Sequence, residues 1–250
     1  IRFRIPLKPD FSSEKNTEKL SSNRSALKTE TYDEYDATDD SFWHKNPQYL
    51  KALAELKQMK MRGGMTPNIP MLNNALLPEK ARPYQFWVRE YGKQFNVDEQ
   101  LIWGIMSVES SFQKEARSSS NALGLMQIMA ESAGRDVKEL IDGVNTRPTE
   151  QELLNPKNNI RFGVAYLGLL QHVYLGQVKN EEIKNLLVIT AYNGGITKTL
   201  ALFGQDAEQA LKRLKKSSWQ EVYQVIKTSF PKKETREYLD KVLQAKKRFA

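Results

Sequence analysis

The chain has 250 residues, room for one domain of ordinary size with an appendage, and its length does not require two cores. It contains no cysteine, which excludes disulfides, thiolate metal sites and a cysteine nucleophile. Its 38 Lys and Arg against 30 Asp and Glu give a formal charge of +8 and a field that attracts polyanions, yet the basic residues are spread out. The denser run from Lys232 to Arg248 reads as a solvated helix face, so no nucleic-acid partner is expected. A mean hydropathy of -0.61 requires some stretch too polar to be buried.

In chain order, residues 1–9 alternate apolar Ile1, Phe3 and Ile5 with Arg2 and Arg4, and read as a strand remnant of a missing amino-terminal domain. The first residue is Ile rather than Met and no apolar run approaches the ~18 residues of a membrane span, so a signal or anchor is expected to have been removed. Residues 10–40 are an extended, partly disordered polar linker, too poor in apolar side chains to offset the entropy of ordering, and end in the acidic cluster Asp33 to Asp40. Residues 41–81 form a helix and connecting segment that docks on the core. Phe42, Trp43, Tyr49, Leu50, Leu53 and Leu56 recur at helical spacing, Gly63-Gly64 ends the helix, and Pro67 and Pro70 mark an irregular crossing.

Residues 82–250 read as packed helices, hence an all-α fold. Tyr84, Trp87, Val88 and Tyr91 share a face; Asp98 then caps a helix carrying Leu101, Ile102, Ile105 and Val108. Further helices are expected at 128–141, 156–174, 181–192, 196–214, 217–229 and 233–249, with Pro148, Pro156, Gly176, Gly204 and Pro231 among the separating signals. No β-hairpin signal is seen.

His44 and His172 have no second His or Cys at ligand spacing and read as structural, so neither metal nor cofactor is expected. Phosphate loops and the Gly-x-Ser-x-Gly elbow are also absent, which leaves carboxylate chemistry. Glu109 stands out because Ile105, Met106 and Phe112, at minus four, minus three and plus three, are apolar. Burial there raises a carboxyl pKa toward the range of a general acid. The bland alternative is a Glu that borders the core and turns to water. Ser118 to Asn121 form a polar loop, and Gln127 then interrupts the apolar Gly124-Leu125-Met126-Gln127-Ile128-Met129, which is expected to open a helix. That Gln needs partners, either a sugar or neighbouring backbone. Tyr192 and Asn193 close an apolar helix before Gly194-Gly195, where polar groups can enter a cleft.

The ordered set Glu109-Ser110-Ser111-Phe112, Gly124 to Met129, Ala191-Tyr192-Asn193-Gly194-Gly195 and Glu234-Thr235-Arg236-Glu237-Tyr238-Leu239 resembles the family 1 lytic transglycosylases. Ser132 to Val137, Val173 to Gly176 and Val188 to Tyr192 are similar to their membrane-bound type C subgroup. The resemblance covers about 82–250 and implies a lysozyme-like catalytic domain that cuts peptidoglycan glycan strands, leaving 1,6-anhydro ends. It implies Glu109 as catalytic acid and base, with Tyr192 close to its carboxyl group, and substrate contacts at Ser118, Gln127, Met129, Asn193 and Tyr238. A monomer in the periplasm of a Gram-negative bacterium, anchored to the outer membrane as a lipoprotein, is the expected setting. A goose-type lysozyme-like hydrolase and a catalytically silent peptidoglycan-binding scaffold are the alternatives.

Overall fold

The computed structural model describes residue 43, residues 45–62 and residues 77–250. The expected strand remnant at 1–9, the linker at 10–40, His44 and the crossing at 63–76 lie outside the described residues. Those described are mainly helical: α1 (Pro47–Arg62), α2 (Gln85–Phe95), α3 (Glu99–Ser110), α4 (Glu150–Leu154), α5 (Pro156–Gly168), α6 (Glu181–Gly194), α7 (Ile196–Ala201), α8 (Ala207–Leu214), α9 (Trp219–Ser229) and α10 (Lys233–Lys247).

Local chemistry sets most boundaries. Asp98 caps α3 as expected, its Oδ1 accepting the Gln100 N–H at 3.0 Å. Thr149 with Glu152 and Ser218 with Glu221 form capping boxes that start α4 and α9. Helix α4 is absent from the sequence expectation, although Thr149-Glu150-Gln151-Glu152 spells that box. The expected helix at 196–214 is two helices. They part around Gly204, where a Cβ would lie 2.5 Å from the Ala210 nitrogen, and Asp206 caps the second.

The expected helix at 128–141 starts two residues late. Ile128–Met129 is instead strand β2, paired antiparallel with β1 (Ala122–Leu123), with Ala122 opposite Met129 and Leu123 opposite Ile128. This hairpin is a correction: strands of two residues show no alternation, and the turn between them lacks an Asn-Gly or Asp-Gly pair. The helix that follows is wound in wide π turns over Ala130–Gly134 and Val137–Ile141.

The core is apolar and centred on α3, whose Ile102, Trp103, Ile105 and Met106 are fully buried. Helix α10 lies along α3, close enough that a Cβ on Gly104 would sit 3.1 Å from the Lys246 nitrogen, and α6 packs against α10. Helix α1 docks through Tyr49, Leu53 and Leu56, with Tyr49 and Trp43 against Tyr174 at ring centroids of 5.6 and 5.1 Å. Leu50 departs from the expected stripe and is 48% exposed, because it lies a quarter turn round from Tyr49. His172 sits with Nε2 2.9 Å from the Asn96 carbonyl oxygen, and burial holds its pKa down, in keeping with a structural contact.

Candidate active site

Glu109 stands in the last turn of α3, one residue before the buried Ser110. The helix stops abruptly: Ser111 (φ 51°) and Phe112 (φ 64°) are both left-handed. Asn121 (φ 59°) and Gln127 (φ 47°) share that region, so four of the five described non-glycine residues with positive φ lie between the end of α3 and β2. Each costs roughly 1–2 kcal/mol, and such residues persist where surrounding contacts over-determine them.

Those contacts converge on the turn joining β1 to β2. Ser110 Oγ donates to the Leu125 carbonyl at 2.8 Å. The turn opens at Gly124 (φ 75°), where a Cβ would lie 2.4 Å from Asn159 Nδ2. Asn159, on α5 and 1% exposed, accepts from the Met126 N–H at 2.8 Å and donates to the carbonyls of Leu123 and Leu153 at 2.8 and 2.7 Å. Sequence reasoning missed this residue. The available signal was a polar side chain beside Ile160 and one turn before Gly163, on the apolar face of α5.

Tyr238, on α10 and 5% exposed, donates its hydroxyl to Glu109 Oε1 at 2.6 Å. Burial pushes the Glu109 carboxyl up to about 7; the Tyr238 bond pulls the other way, and the negative charge of Glu234 raises it further. No cation is among the groups acting on it. The carboxyl can therefore hold a proton near neutrality and exchange it, which is what a general acid requires.

The Tyr192 hydroxyl donates to the Met126 carbonyl at 2.8 Å, and its pKa is pushed well up by burial and by the charge of Glu109. The structure thus brings Glu109, Tyr192 and Tyr238 together, and the direct bond to the carboxyl comes from Tyr238. Gln127 uses its amide hydrogens on the carbonyls of Ala116 (3.1 Å) and Gly124 (3.0 Å), so neighbouring backbone takes half of its bonding capacity. Asn193 Oδ1 accepts from Thr235 Oγ1 at 2.6 Å. Ser118 is exposed and its Oγ accepts from the N–H groups of Ser120 and Ala122, at 3.2 and 3.0 Å. Met129 is 39% exposed beside the turn. Among the described residues no hydrogen bond joins Ser118, Gln127, Met129 or Asn193 directly to Glu109. No group of three or more His, Asp or Glu among them is placed to hold a metal ion.

Residues 86–215, more than half of the chain, match the family model of the transglycosylase SLT domain. The chain is 40% identical over 173 residues to the membrane-bound lytic murein transglycosylase C of Yersinia enterocolitica, covering 69% of this chain and 48% of that protein. It is 36% identical over 198 residues to the protein of the same name from Haemophilus influenzae, covering 78% and 55%. The chain thus spans about half the length of the curated relatives it matches. A solved structure of an inactive mutant of the lytic transglycosylase Slt from Pseudomonas aeruginosa shares the fold, with a TM-score of 0.50 at 23% identity over 65% of this chain and 23% of that one. With one family model covering residues 86–215, three of the four motifs in order inside it and the fourth following it at Glu234 to Leu239, the chain belongs to the transglycosylase SLT domain family.

Proposed function

We propose that this chain is a peptidoglycan lytic transglycosylase that cleaves the β-1,4 bond between N-acetylmuramic acid and N-acetylglucosamine, with Glu109 as its single acid and base. The observation that carries the reading is the half-buried Glu109 carboxyl, bonded through Oε1 to the Tyr238 hydroxyl at 2.6 Å, with desolvation pushing its pKa up to about 7. Because Tyr238 occupies Oε1, the transferable proton belongs on Oε2. Glu109 gives that proton to the glycosidic oxygen as the bond to C1 of the muramyl residue breaks, while the substrate's own acetamide oxygen supports the positive C1. The resulting carboxylate, stabilised by the Tyr238 hydroxyl, takes the proton of the C6 hydroxyl as the C6 oxygen closes on C1. The product is a 1,6-anhydro end; no water is consumed and the carboxyl is restored.

In this reading residues 82–250 are the catalytic domain and α1 is an accessory helix docked on it. Gln127, Asn193, Ser118 and Met129 contact the glycan, with the Gln127 carbonyl oxygen and the Asn193 amide nitrogen as the atoms left for it. The relatives are named membrane-bound murein enzymes, and we extend membrane association, a wall-facing periplasmic setting and lipid anchorage at the outer membrane to this chain on that basis. Among the described residues no helix is long and apolar enough to cross a membrane.

The test is mass spectrometry of muropeptides released from purified peptidoglycan. Anhydro ends are expected. Reducing ends would make the chain a hydrolase, and no release would leave a binding scaffold.

A further inference from the structure

The peptide unit between Leu125 and Met126 is held at both polar ends by side chains of different helices. Its carbonyl accepts from Ser110 Oγ on α3 at 2.8 Å, and its N–H donates to Asn159 Oδ1 on α5 at 2.8 Å. A peptide plane fixed at both ends cannot turn about its flanking bonds without orphaning a buried polar group. The orientation of Asn159 is fixed as well. Its Nδ2 donates to two carbonyls, those of Leu123 and Leu153, so its amide cannot flip without facing oxygen with oxygen. The next peptide unit presents the Met126 carbonyl to the Tyr192 hydroxyl of α6 at 2.8 Å, and the Gln127 N–H returns to the Gly124 carbonyl at 3.2 Å.

Three helices therefore grip one four-residue turn, and Ser110, one of the grips, is covalently next to Glu109. We propose that Ser110 and Asn159 are positioning residues: by clamping the Leu125–Met126 peptide they keep the last turn of α3, the Gln127 side chain and the Tyr192 hydroxyl in one register around the Glu109 carboxyl. This rests on the transglycosylase reading, because the register matters for a reaction at Glu109. Neither residue touches substrate in this scheme. A purely structural role would satisfy the same buried groups but would show itself in stability, leaving kcat of the folded protein unchanged.

The experiment uses the full chain with Ser110→Ala, Asn159→Asp and the double substitution, assayed on purified glycan strands. Misplacement by about 1 Å costs on the order of 10²-fold, so each single variant should lose about 10²-fold in kcat with KM within about threefold of wild type. The double variant should lose little more than the worse single variant, because a plane freed at one end is already free. Exchange of the Met126 amide hydrogen in the free protein should accelerate by about tenfold or more in Ser110→Ala. The proposal is overturned by a folded Ser110→Ala variant with kcat within about threefold of wild type, by losses that multiply in the double variant, or by unchanged exchange at Met126. If Asn159→Asp does not fold, Ser110→Ala and the exchange measurement decide. A wild-type chain that releases no muropeptide would defeat the functional reading, and the exchange measurement would still judge the clamp.

Discussion

Helix α3 carries a desolvated carboxyl at each end, Glu99 buried and Glu109 half-buried, and the two differ in what surrounds them. Glu99, in the first turn, is 6% exposed and burial raises its pKa, but Arg89 Nε lies 3.9 Å from Oε1, the charges of Arg89 and Lys93 act against that rise, and the positive end of the helix favours an anion. Glu109, in the last turn, has the negative end of the helix, the charge of Glu234 and no cation. Desolvation is common to both; the absence of a cation among the groups acting on it distinguishes Glu109. A cleft alone does not mark the chemistry either. A cleft of about 310 Å³ lies at the Glu99 end, lined by Asp98, Leu101, Glu181, Lys184 and Lys246 among others, but its lysines are paired, Lys246 with Asp98 at 2.8 Å and Lys184 with Glu181 at 2.7 Å.

The sharpest way to break this comparison is to neutralise each end in turn. Glu109→Gln keeps the shape and can still accept from Tyr238 but has no proton to give, and turnover should fall by about 10³-fold or more. Glu99→Gln should leave turnover within about threefold and should not lower stability at neutral pH, because burial raises the Glu99 pKa in spite of Arg89 and the fold already disfavours its anion. Residual activity of Glu109→Gln within about tenfold of wild type, roughly 1.4 kcal/mol of barrier, would assign the acid to another group.

Tyr238→Phe tests the only hydrogen bond to the Glu109 carboxyl among the described residues. Losing a bond to a charged group costs roughly 1.5–3 kcal/mol, so kcat should fall about 10- to 150-fold. The bond favours the carboxylate, so its removal should raise the pKa of Glu109. The wild type is expected to lose kcat/KM as pH rises through about 7, and in Tyr238→Phe that decline should move to higher pH. An unmoved profile with an unmoved kcat would show that the bond is not made in solution.

The same carboxyl gives a stability contrast. Its folded pKa lies above its ordinary value, so the ionised form is disfavoured by the fold: no penalty exists at pH 4, it grows as pH rises through the ordinary value of 4.5, and it is full above about 7. Glu109→Gln should therefore stabilise the protein by about 1–3 kcal/mol at pH 8 and hardly at all at pH 4. Thermal unfolding at the two pH values measures this, and equal melting shifts would mean the carboxyl is solvated.

Most of the helices and the apolar surroundings of Glu109 were legible because both rest on apolar periodicity over a dozen residues, which survives in one dimension. The hairpin at 122–129 was not, since its conformation is imposed by Ser110, Asn159 and Tyr192, which lie up to 66 residues away in sequence. The bond between Tyr238 and Glu109 spans 129 residues, and neither side chain signals the other. The motifs placed Tyr192 and Tyr238 near one groove, while which hydroxyl meets the carboxyl depends on how α6 and α10 seat against α3.

Tyr192→Phe probes that seating and has the smallest expected effect. Had its hydroxyl bonded Glu109 directly, its loss would match that of Tyr238. Here the hydroxyl donates to the Met126 carbonyl, a neutral partner, and a neutral bond contributes about 0.5–1.5 kcal/mol, or roughly 2- to 13-fold in rate. The ring should stay in place, 5.8 Å from the ring of Tyr166, so stability should fall by no more than that amount. The effect on chemistry passes through the turn: a Met126 carbonyl without its donor loosens the segment that carries Gln127. Single-turnover rates for Tyr192→Phe and Tyr238→Phe, measured side by side on the same glycan, separate the roles. A larger loss in Tyr238→Phe is expected, whereas an equal or greater loss in Tyr192→Phe would place its hydroxyl on the reacting atoms and reverse the order given to the two tyrosines.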